Sequence, residues 1–463
     1  MDYQLVVIGS GPGGYHAAIR GAQLGLKTAV IEKGDVGGVC LNVGCIPTKA
    51  LLHVANDLRA AEHASTYGVT YSKPKIDLKA MQSWKGDVVG KMTGGVGMLL
   101  KGNKVDLLQG EASFKDANTL NVGDRTITFE KVIVATGSRP IVIPGFEPDG
   151  ETIVDSTGAL EINDVPKRFM AIGGSAIGLE FTDIYSAMGS EATVVELMDE
   201  IVPGAEPEAS KALRKAFEKR GVTFKLGTKA VSAKRLKSGL KVTLESADGT
   251  QESVTVDRLL VAVGRAPNGQ GLGLEDIGVE VTDRGFVPVN ASMQTALPHV
   301  YAIGDVAGAP LLAHKAMKEG LVAAEHASGR PAAHDTLAPA VIYTNPELAS
   351  VGMTEQEASD AGFEVRTGSF PLSASGRAAA IGAEDGVFKV VADATTDTVL
   401  GAHIVGPGAG DMIAEAALAI EMGATLEDVA ATQHPHPTLS EGLMEAAEHA
   451  HGQAIHTANR RKR

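Results

Sequence analysis

The apolar positions of this chain cluster in short runs that end on glycine. YQLVVIG at residues 3–9 is rich in β-branched residues and shows no polar alternation, the pattern of a strand buried on both faces. A glycine turn follows, then a helical stretch, GYHAAIRGAQLG, that ends near Gly25, then a second strand-like run, KTAVIE, that closes on Glu32. Strand, turn, helix and strand in that order make a βαβ unit. The same grammar returns at FMAIGGSAIGLEFTDIYSAMGSEATVVE, residues 169–196. In each copy 23 positions separate the first glycine of the turn from the closing glutamate, Gly9 to Glu32 and Gly173 to Glu196. Two dinucleotide-binding units are the economical reading.

Further strand-like runs reach glycine at KVIVATGSRP (131–140), RLLVAVGRAPN (258–268) and HVYAIGDV (299–306), each the pattern of a buried strand that ends at a ligand-facing turn. Alternating stretches such as LKVTLESADG predict antiparallel hairpins inserted between them. From about Leu337 the texture changes to mixed strand and helix, with a long helix over DMIAEAALAIEMG and then a proline-punctuated string, QHPHPTLSEGLMEAAEHA. A length of 463 residues, 44 % of them apolar, provides for two to four domains with a core in each.

Composition narrows the function. The chain has 42 basic and 56 acidic residues, a net charge of −14, which disfavours a phosphate-binding surface for nucleic acid, and 4 % aromatic residues is too few for base-stacking platforms. The tail RRKR is too short to reverse that balance and reads as a solvated terminus. No run of eighteen consecutive apolar residues marks a membrane span, and the chain opens on a strand rather than a leader, so a cytoplasmic protein is expected.

The turn Gly9-Ser10-Gly11-Pro12-Gly13-Gly14 satisfies G-x-G-x-x-G between a strand and a helix. Gly9 permits the tight turn, Gly11 lets backbone approach a pyrophosphate, Gly14 packs helix on strand, and Glu32 is placed to accept from a ribose hydroxyl. In the second copy, Gly173 and Gly178 keep their places but Ser175 stands at the middle position, where its side chain either holds a pyrophosphate off or donates to it. Glu196, with no Arg or Lys after it in LMDEIVPG, favours NAD over NADP.

The only two cysteines, Cys40 and Cys45, lie five apart. In a regular helix that spacing rises about 7.5 Å and turns the side chains away from each other. A disulfide therefore needs a broken backbone, for which Gly44 and Pro47 provide, and so small a loop suits a redox couple better than a structural staple. A metal site with His434 and His436, or two inert thiols, are the rivals; C-x4-C lacks the usual zinc spacing. In HPHPTLSE, His436 and Glu441 read either as a general base with its orienting carboxylate or, since Thr438-x-x-Glu441 is also a capping box, as a loop histidine before a helix start. Spacing alone does not choose between them. Lone histidines such as His16, His53 and His403 read as structural or surface residues.

Taken together, GGVCLNVGCIPTKALLH, VIVATGSRP, VYAIGDV with LLAHKAMKEG, YTNPELASVGMTE and HPHPTLSEG resemble the pyridine nucleotide-disulfide oxidoreductases over essentially the whole chain, most closely the dihydrolipoamide-oxidising branch. The resemblance implies an α/β fold of two Rossmann-like dinucleotide-binding domains plus a C-terminal α+β dimerisation domain. The expected boundaries are 1–146 for FAD, 147–267 for NAD, 268–337 for a central segment returning to the FAD domain, and 338–463 for the interface. It also implies a homodimer in which the histidine reaches the other subunit's disulfide, which favours the catalytic reading of His436 and Glu441.

Carried over by position, Cys40 is the interchange thiol and Cys45 the flavin-facing one. Lys49 lies beside the flavin, paired with Glu180. Glu32, Gly137, Asp305 and the backbones of Ala112 and Ala313 serve FAD, and Gly264 borders NAD. The implied partner is a lipoylated acyltransferase or a glycine-cleavage carrier protein. The rivals are a glutathione- or mercuric-reductase-like enzyme, disfavoured by Glu196, and a non-catalytic flavin redox sensor, disfavoured by the intact set of Lys49, Glu180, His436 and Glu441.

Overall fold

The computed structural model describes residues 1–459; the basic tail, read above as a solvated terminus, lies outside the described residues. Three large sheets organise the chain, with a three-stranded and a two-stranded sheet beside them. In the first, Asp106–Gln109, Thr28–Glu32, Tyr3–Ile8 and Arg125–Val134 run parallel in that order. Arg125–Val134 is long enough for two sets of neighbours. Its first half pairs antiparallel with Thr119–Val122, and its second half lies between Tyr3–Ile8 and Val300–Ala302. The chain thus leaves this sheet after Val134 and returns to it at Val300.

Between those points lies the second parallel sheet, in the order Thr223–Lys225, Glu191–Val195, Arg168–Ile172, Arg258–Val261, Ile153–Val154. The expected hairpins form a three-stranded antiparallel sheet, Thr228–Leu236, Gly239–Ser246 and Gln251–Val256. Alternation in Gly239–Ser246 turns Leu240, Val242 and Leu244 onto Met170 and Leu259, while the polar residues between them face out. Where the chain passes between the two units, Ser138–Pro140 pairs with Arg265–Pro267.

The third sheet is antiparallel: Ala340–Ile342, Glu347–Gly352, Val399–Gly406, Val387–Asp393, Val365–Pro371. Helices Ala409–Glu421 and Glu441–His451 cover it, with Ile413, Leu443 and Ala446 packed against Phe388, Val390 and Ile404. Every residue of Val387–Asp393 is buried, each large apolar one contributing about 1.5–3 kcal/mol. The first helix is Pro12–Gln23, two residues earlier than its apolar pattern predicts, because Pro12 has no N–H to leave unsatisfied and its fixed φ suits a first turn.

One helical stretch, Gly38–Tyr67, is apolar and long enough to cross a membrane by composition alone. Its Leu51 and Leu52 are buried in the same cluster as Leu179, Phe181 and Ile184 of helix Ala176–Ala187, so it is a core helix.

Candidate active site

The two cysteines sit on either side of a helix break. Cys40 belongs to Gly38–Val43 and Cys45 opens Cys45–His63, with Gly44 between the two helices. The break brings the Cα atoms to 4.6 Å and the sulfurs form a disulfide. A Cβ on Gly44 would lie 2.8 Å from the carbonyl oxygen of Val39 and 3.2 Å from the Cα of Cys40, so only glycine lets the second helix start this close to the first. Pro47 falls within the first turn of the new helix, where its missing N–H leaves no bond unmade. Neither histidine of the metal alternative turns to the sulfurs. His434 hydrogen-bonds Glu415 at 2.7 Å and the carbonyl of Thr432 at 2.9 Å, and His436 bonds Glu441.

One turn after Cys45, Lys49 donates to both oxygens of Glu180 at 2.9 Å. Glu180 comes from the second parallel unit and is 4 % exposed. Its Oε1 also accepts from the backbone N–H of Tyr343 at 3.0 Å, and the Tyr343 ring lies 4.6 Å from the Lys49 ammonium. Three segments distant in sequence therefore fix one cation beside the disulfide. The family resemblance had singled out Lys49 and Glu180 but not Tyr343, whose contact depends on a strand edge that only the fold brings near.

The two glycine loops superpose in their chemistry. Gly9 and Gly173 have φ of +104° and +108°, a region closed to most side chains. A Cβ on Gly14 would run into the Gly9 carbonyl, and one on Gly178 into that of Gly173. Glu32 accepts from the N–H and Oγ of Ser10 at 2.9 and 2.6 Å and from the N–H of Gly34 at 2.8 Å. Glu196 accepts from the N–H of Gly174 at 2.7 Å and of Met198 at 2.9 Å. Each carboxylate braces its own loop. Having about four acceptor sites, each can still take ribose hydroxyls.

The middle position differs between the copies. A Cβ at Gly11 meets nothing within 4 Å, and Ser175 is exposed as the residue before its helix, its side chain making no capping bond. Both helix starts therefore keep uncapped N–H groups beside open space, with no acidic side chain in the first turn, as a pyrophosphate needs.

The other strand-end glycines meet between the units. Gly137 and Gly264 both have positive φ, and the residues after them join: Arg265 donates to the Ser138 hydroxyl and carbonyl, both at 2.7 Å, while the hydroxyl donates to Asp305 at 2.5 Å. Burial lowers the pKa of Arg265, and the charges of Asp305 and Asp155 partly oppose this. Ser138 is the residue here that sequence reading missed; a polar residue buried straight after a strand-end glycine was the available signal.

Ala313 opens helix Ala313–Ala327, which packs on Pro12–Gln23 so closely that a Cβ on Gly13 would lie 2.7 Å from the Ala316 carbonyl. Ala112 is buried two residues after Gly110, whose N–H donates to the Glu32 carbonyl at 2.9 Å.

His436 Nδ1 lies 2.8 Å from Glu441 Oε1, and Glu441 Oε2 accepts from the backbone N–H of Thr438 at 2.7 Å. One oxygen orients the imidazole, and the other takes the Thr438 N–H in the segment leading into Glu441–His451, a helix whose N-cap, Ser440, makes no side-chain capping bond. Only half of the box forms, because the Thr438 hydroxyl turns to the Pro435 carbonyl at 2.7 Å. Burial pushes the Glu441 carboxyl up in pKa, but the Thr438 N–H and His436 outweigh it and hold it below its ordinary value. The His436 side chain is 78 % exposed. Among the described residues no hydrogen bond or ion pair links it to the disulfide segment of its own chain.

Residues 3–320 match the family model for pyridine nucleotide-disulphide oxidoreductases and residues 338–447 that family's dimerisation domain. A relative from Thermus scotoductus named dihydrolipoyl dehydrogenase is 56 % identical over 99 % of both chains. One of the same name from Geobacillus stearothermophilus is 47 % identical over 98 % of each. The crystal structure of LpdA from Mycobacterium tuberculosis is similar with a TM-score of 0.88 at 27 % identity, covering 96 % of this chain and 99 % of its own. The disulfide built across a helix break, the paired glycine loops and these likenesses converge: the chain belongs to the pyridine nucleotide-disulphide oxidoreductases.

Proposed function

We propose that this protein is a homodimeric flavoprotein that oxidises the dihydrolipoyl group of a carrier protein to its disulfide, with NAD⁺ as electron acceptor. The observation that carries the reading is the Cys40–Cys45 disulfide, set beside the Lys49–Glu180 pair in a chain 56 % identical to a named dihydrolipoyl dehydrogenase. The proposed division of its parts is the one the resemblance implies: FAD domain 1–146, NAD domain 147–267, central segment 268–337 and interface domain 338–463.

The residues present fit FAD. The turn Gly9, Gly11 and Gly14 opens onto free space for a pyrophosphate, Glu32 keeps acceptor sites for a ribose, and Gly137, Asp305 and the backbones of Ala112 and Ala313 border the same unit. When bound, FAD supplies the two-electron relay between thiol exchange and hydride transfer. NAD falls to the second loop: Gly173 and Gly178 shape the turn, Ser175 has a hydroxyl free to donate, Glu196 takes the ribose, and Gly264 borders the site.

The geometry supports the following steps for the protein's own residues. With Nδ1 held by Glu441, His436 presents Nε2 as the base that takes a proton from one substrate thiol. The thiolate attacks Cys40 Sγ, the Cys40–Cys45 bond breaks, and Cys45 leaves as a thiolate. The second substrate thiol, losing its proton to solvent, then attacks the sulfur joined to Cys40, which releases the cyclic disulfide and leaves Cys40 to recover the first proton from His436. Lys49, fixed by Glu180, holds a positive charge beside these thiols. His436 is exposed and separate from its own disulfide, so a second copy brings the base to each site.

A lipoylated acyltransferase or a glycine-cleavage carrier protein is the partner that presents such a dithiol. A reversible thiol couple with no other cysteine suits the cytoplasm. His436→Gln tests the assignment: oxidation of dihydrolipoamide should slow by about a hundredfold or more while flavin reduction by NADH is retained. Wild-type turnover in that variant removes the base from His436, and no turnover in the unaltered enzyme removes the substrate.

A further inference from the structure

The Lys49–Glu180 pair has a counterpart one helical turn away. Asp183 follows Glu180 by three positions on helix Ala176–Ala187, so both carboxylates project from neighbouring places on one face. The side chain of Asp183 is fully buried. Its Oδ2 accepts from Arg59 Nη1 at 2.9 Å and from the backbone N–H of Asn345 at 3.0 Å. Its Oδ1 lies 2.8 Å from Arg59 Nη2 and accepts from Arg220 at 3.1 Å.

The pattern repeats that of Glu180 part for part. Each carboxylate binds one cation from the disulfide helix Cys45–His63, Lys49 or Arg59, and one backbone N–H from the segment 343–345. Tyr343 and Asn345 follow strand Ala340–Ile342 two residues apart, and the N–H groups of both turn to helix Ala176–Ala187. Asn345 also donates to Asn56 of the disulfide helix at 3.1 Å, and Arg59 Nη2 donates to the Asp183 carbonyl at 2.6 Å. The Asp183 rung is the more buried and the more richly bonded of the two. The Lys49 side chain is 33 % exposed and that of Arg59 15 %.

We infer that Arg59, Asp183 and the backbone of Asn345 are a positioning group for Lys49: they fix the disulfide helix against the helix that bears Glu180, so that the Lys49 ammonium is held at one place during electron transfer. Neither Arg59 nor Asp183 touches the reacting atoms in this scheme. The inference rests on the proposed place of Lys49 beside the flavin. For that reason its test reads flavin reduction by NADH rather than dithiol turnover.

The test is a double-mutant cycle on flavin-loaded enzyme, with Arg59→Gln made in the wild type and in Lys49→Met. Asp183 keeps Arg220 and the Asn345 N–H in Arg59→Gln, so its buried charge stays partnered. In the wild type the substitution should slow flavin reduction about fivefold or more, as residues coupled through one hydrogen-bond network do, and Arg59→Lys should recover most of the loss. In Lys49→Met the same substitution should change the rate by less than about twofold, because the group it positions is gone.

Equal losses in both backgrounds, or no loss in the wild type, would overturn the inference. Should Arg59→Gln fail to load flavin, Arg220→Gln, which removes the more exposed cation from the same carboxylate, is judged by the same coupling. Absence of dihydrolipoamide turnover in the unaltered enzyme would defeat the proposed substrate and leave this coupling as it was measured.

Discussion

Glutamine at position 441 should separate the two tasks of Glu441. The carboxylate gives one oxygen to His436 Nδ1 at 2.8 Å and the other to the Thr438 N–H at 2.7 Å. An amide has only one oxygen, and the Thr438 N–H, a fixed donor, requires it. The NH₂ group then faces His436 Nδ1, which must become the acceptor, and the ring proton moves to Nε2. That nitrogen is the one needed as base. Loss of a positioned general base removes about 10²–10⁴ in rate, so Glu441→Gln should lose about a hundredfold or more in dihydrolipoamide oxidation.

Its stability should fall by less than about 1 kcal/mol, because the bond to the Thr438 N–H survives and an ion pair to a side chain 78 % exposed is worth little. Glu441→Ala loses the bond to the Thr438 N–H as well and should cost a further 0.5–1.5 kcal/mol or so. Stopped-flow flavin reduction by NADH, which does not use His436, is the internal control. The pH dependence has a definite sign. Glu441 is depressed in the folded protein, so its stabilisation is present above the ordinary carboxylate pKa of about 4.3 and is lost as pH falls through the lower folded value. The gap in stability between wild type and Glu441→Gln should therefore close only below about pH 4. Turnover of Glu441→Gln within about threefold of wild type would refute the reasoning.

Cys45→Ser should abolish the long-wavelength charge-transfer absorbance of the two-electron-reduced enzyme, and survival of the band would reverse the order of the two thiols. Gly44→Ala puts a Cβ 2.8 Å from the Val39 carbonyl and should cost about 1–3 kcal/mol in denaturant unfolding while raising the free-thiol content of the oxidised enzyme. Unchanged thiol content would show that the helix break does not depend on that close approach. Gly11→Ala meets no protein atom within 4 Å, so it should fold normally yet bind FAD at least about tenfold more weakly, read as loss of yellow colour on dilution. Full retention of flavin would place the pyrophosphate elsewhere.

Both βαβ units were legible because a buried parallel strand, a glycine turn and an amphipathic helix each leave a periodic mark, and the spacing from Gly9 to Glu32 repeats from Gly173 to Glu196. The start of the first helix was misplaced because Pro12 belongs to the helix rather than to the turn before it. The cysteine pair was legible from its spacing and from Gly44. What the sequence hid are contacts between segments far apart: Tyr343 against Lys49, Ser138 between Arg265 and Asp305, and Asp183 against Arg59. Asp183 did leave a signal, a second carboxylate three positions after Glu180 on a mostly apolar helix. The two readings of Glu441 stood even on spacing because its two oxygens face different partners, the His436 ring and the Thr438 N–H.

The central claim is most directly tested by measuring NADH formation by the purified yellow protein with dihydrolipoamide and NAD⁺, beside NADPH oxidation with glutathione disulfide. Turnover in the first assay and none in the second is the result this account predicts. Turnover only in the second would contradict it: the disulfide and the two nucleotide loops would keep their places, but Glu196 would have been misread and the substrate would be another disulfide.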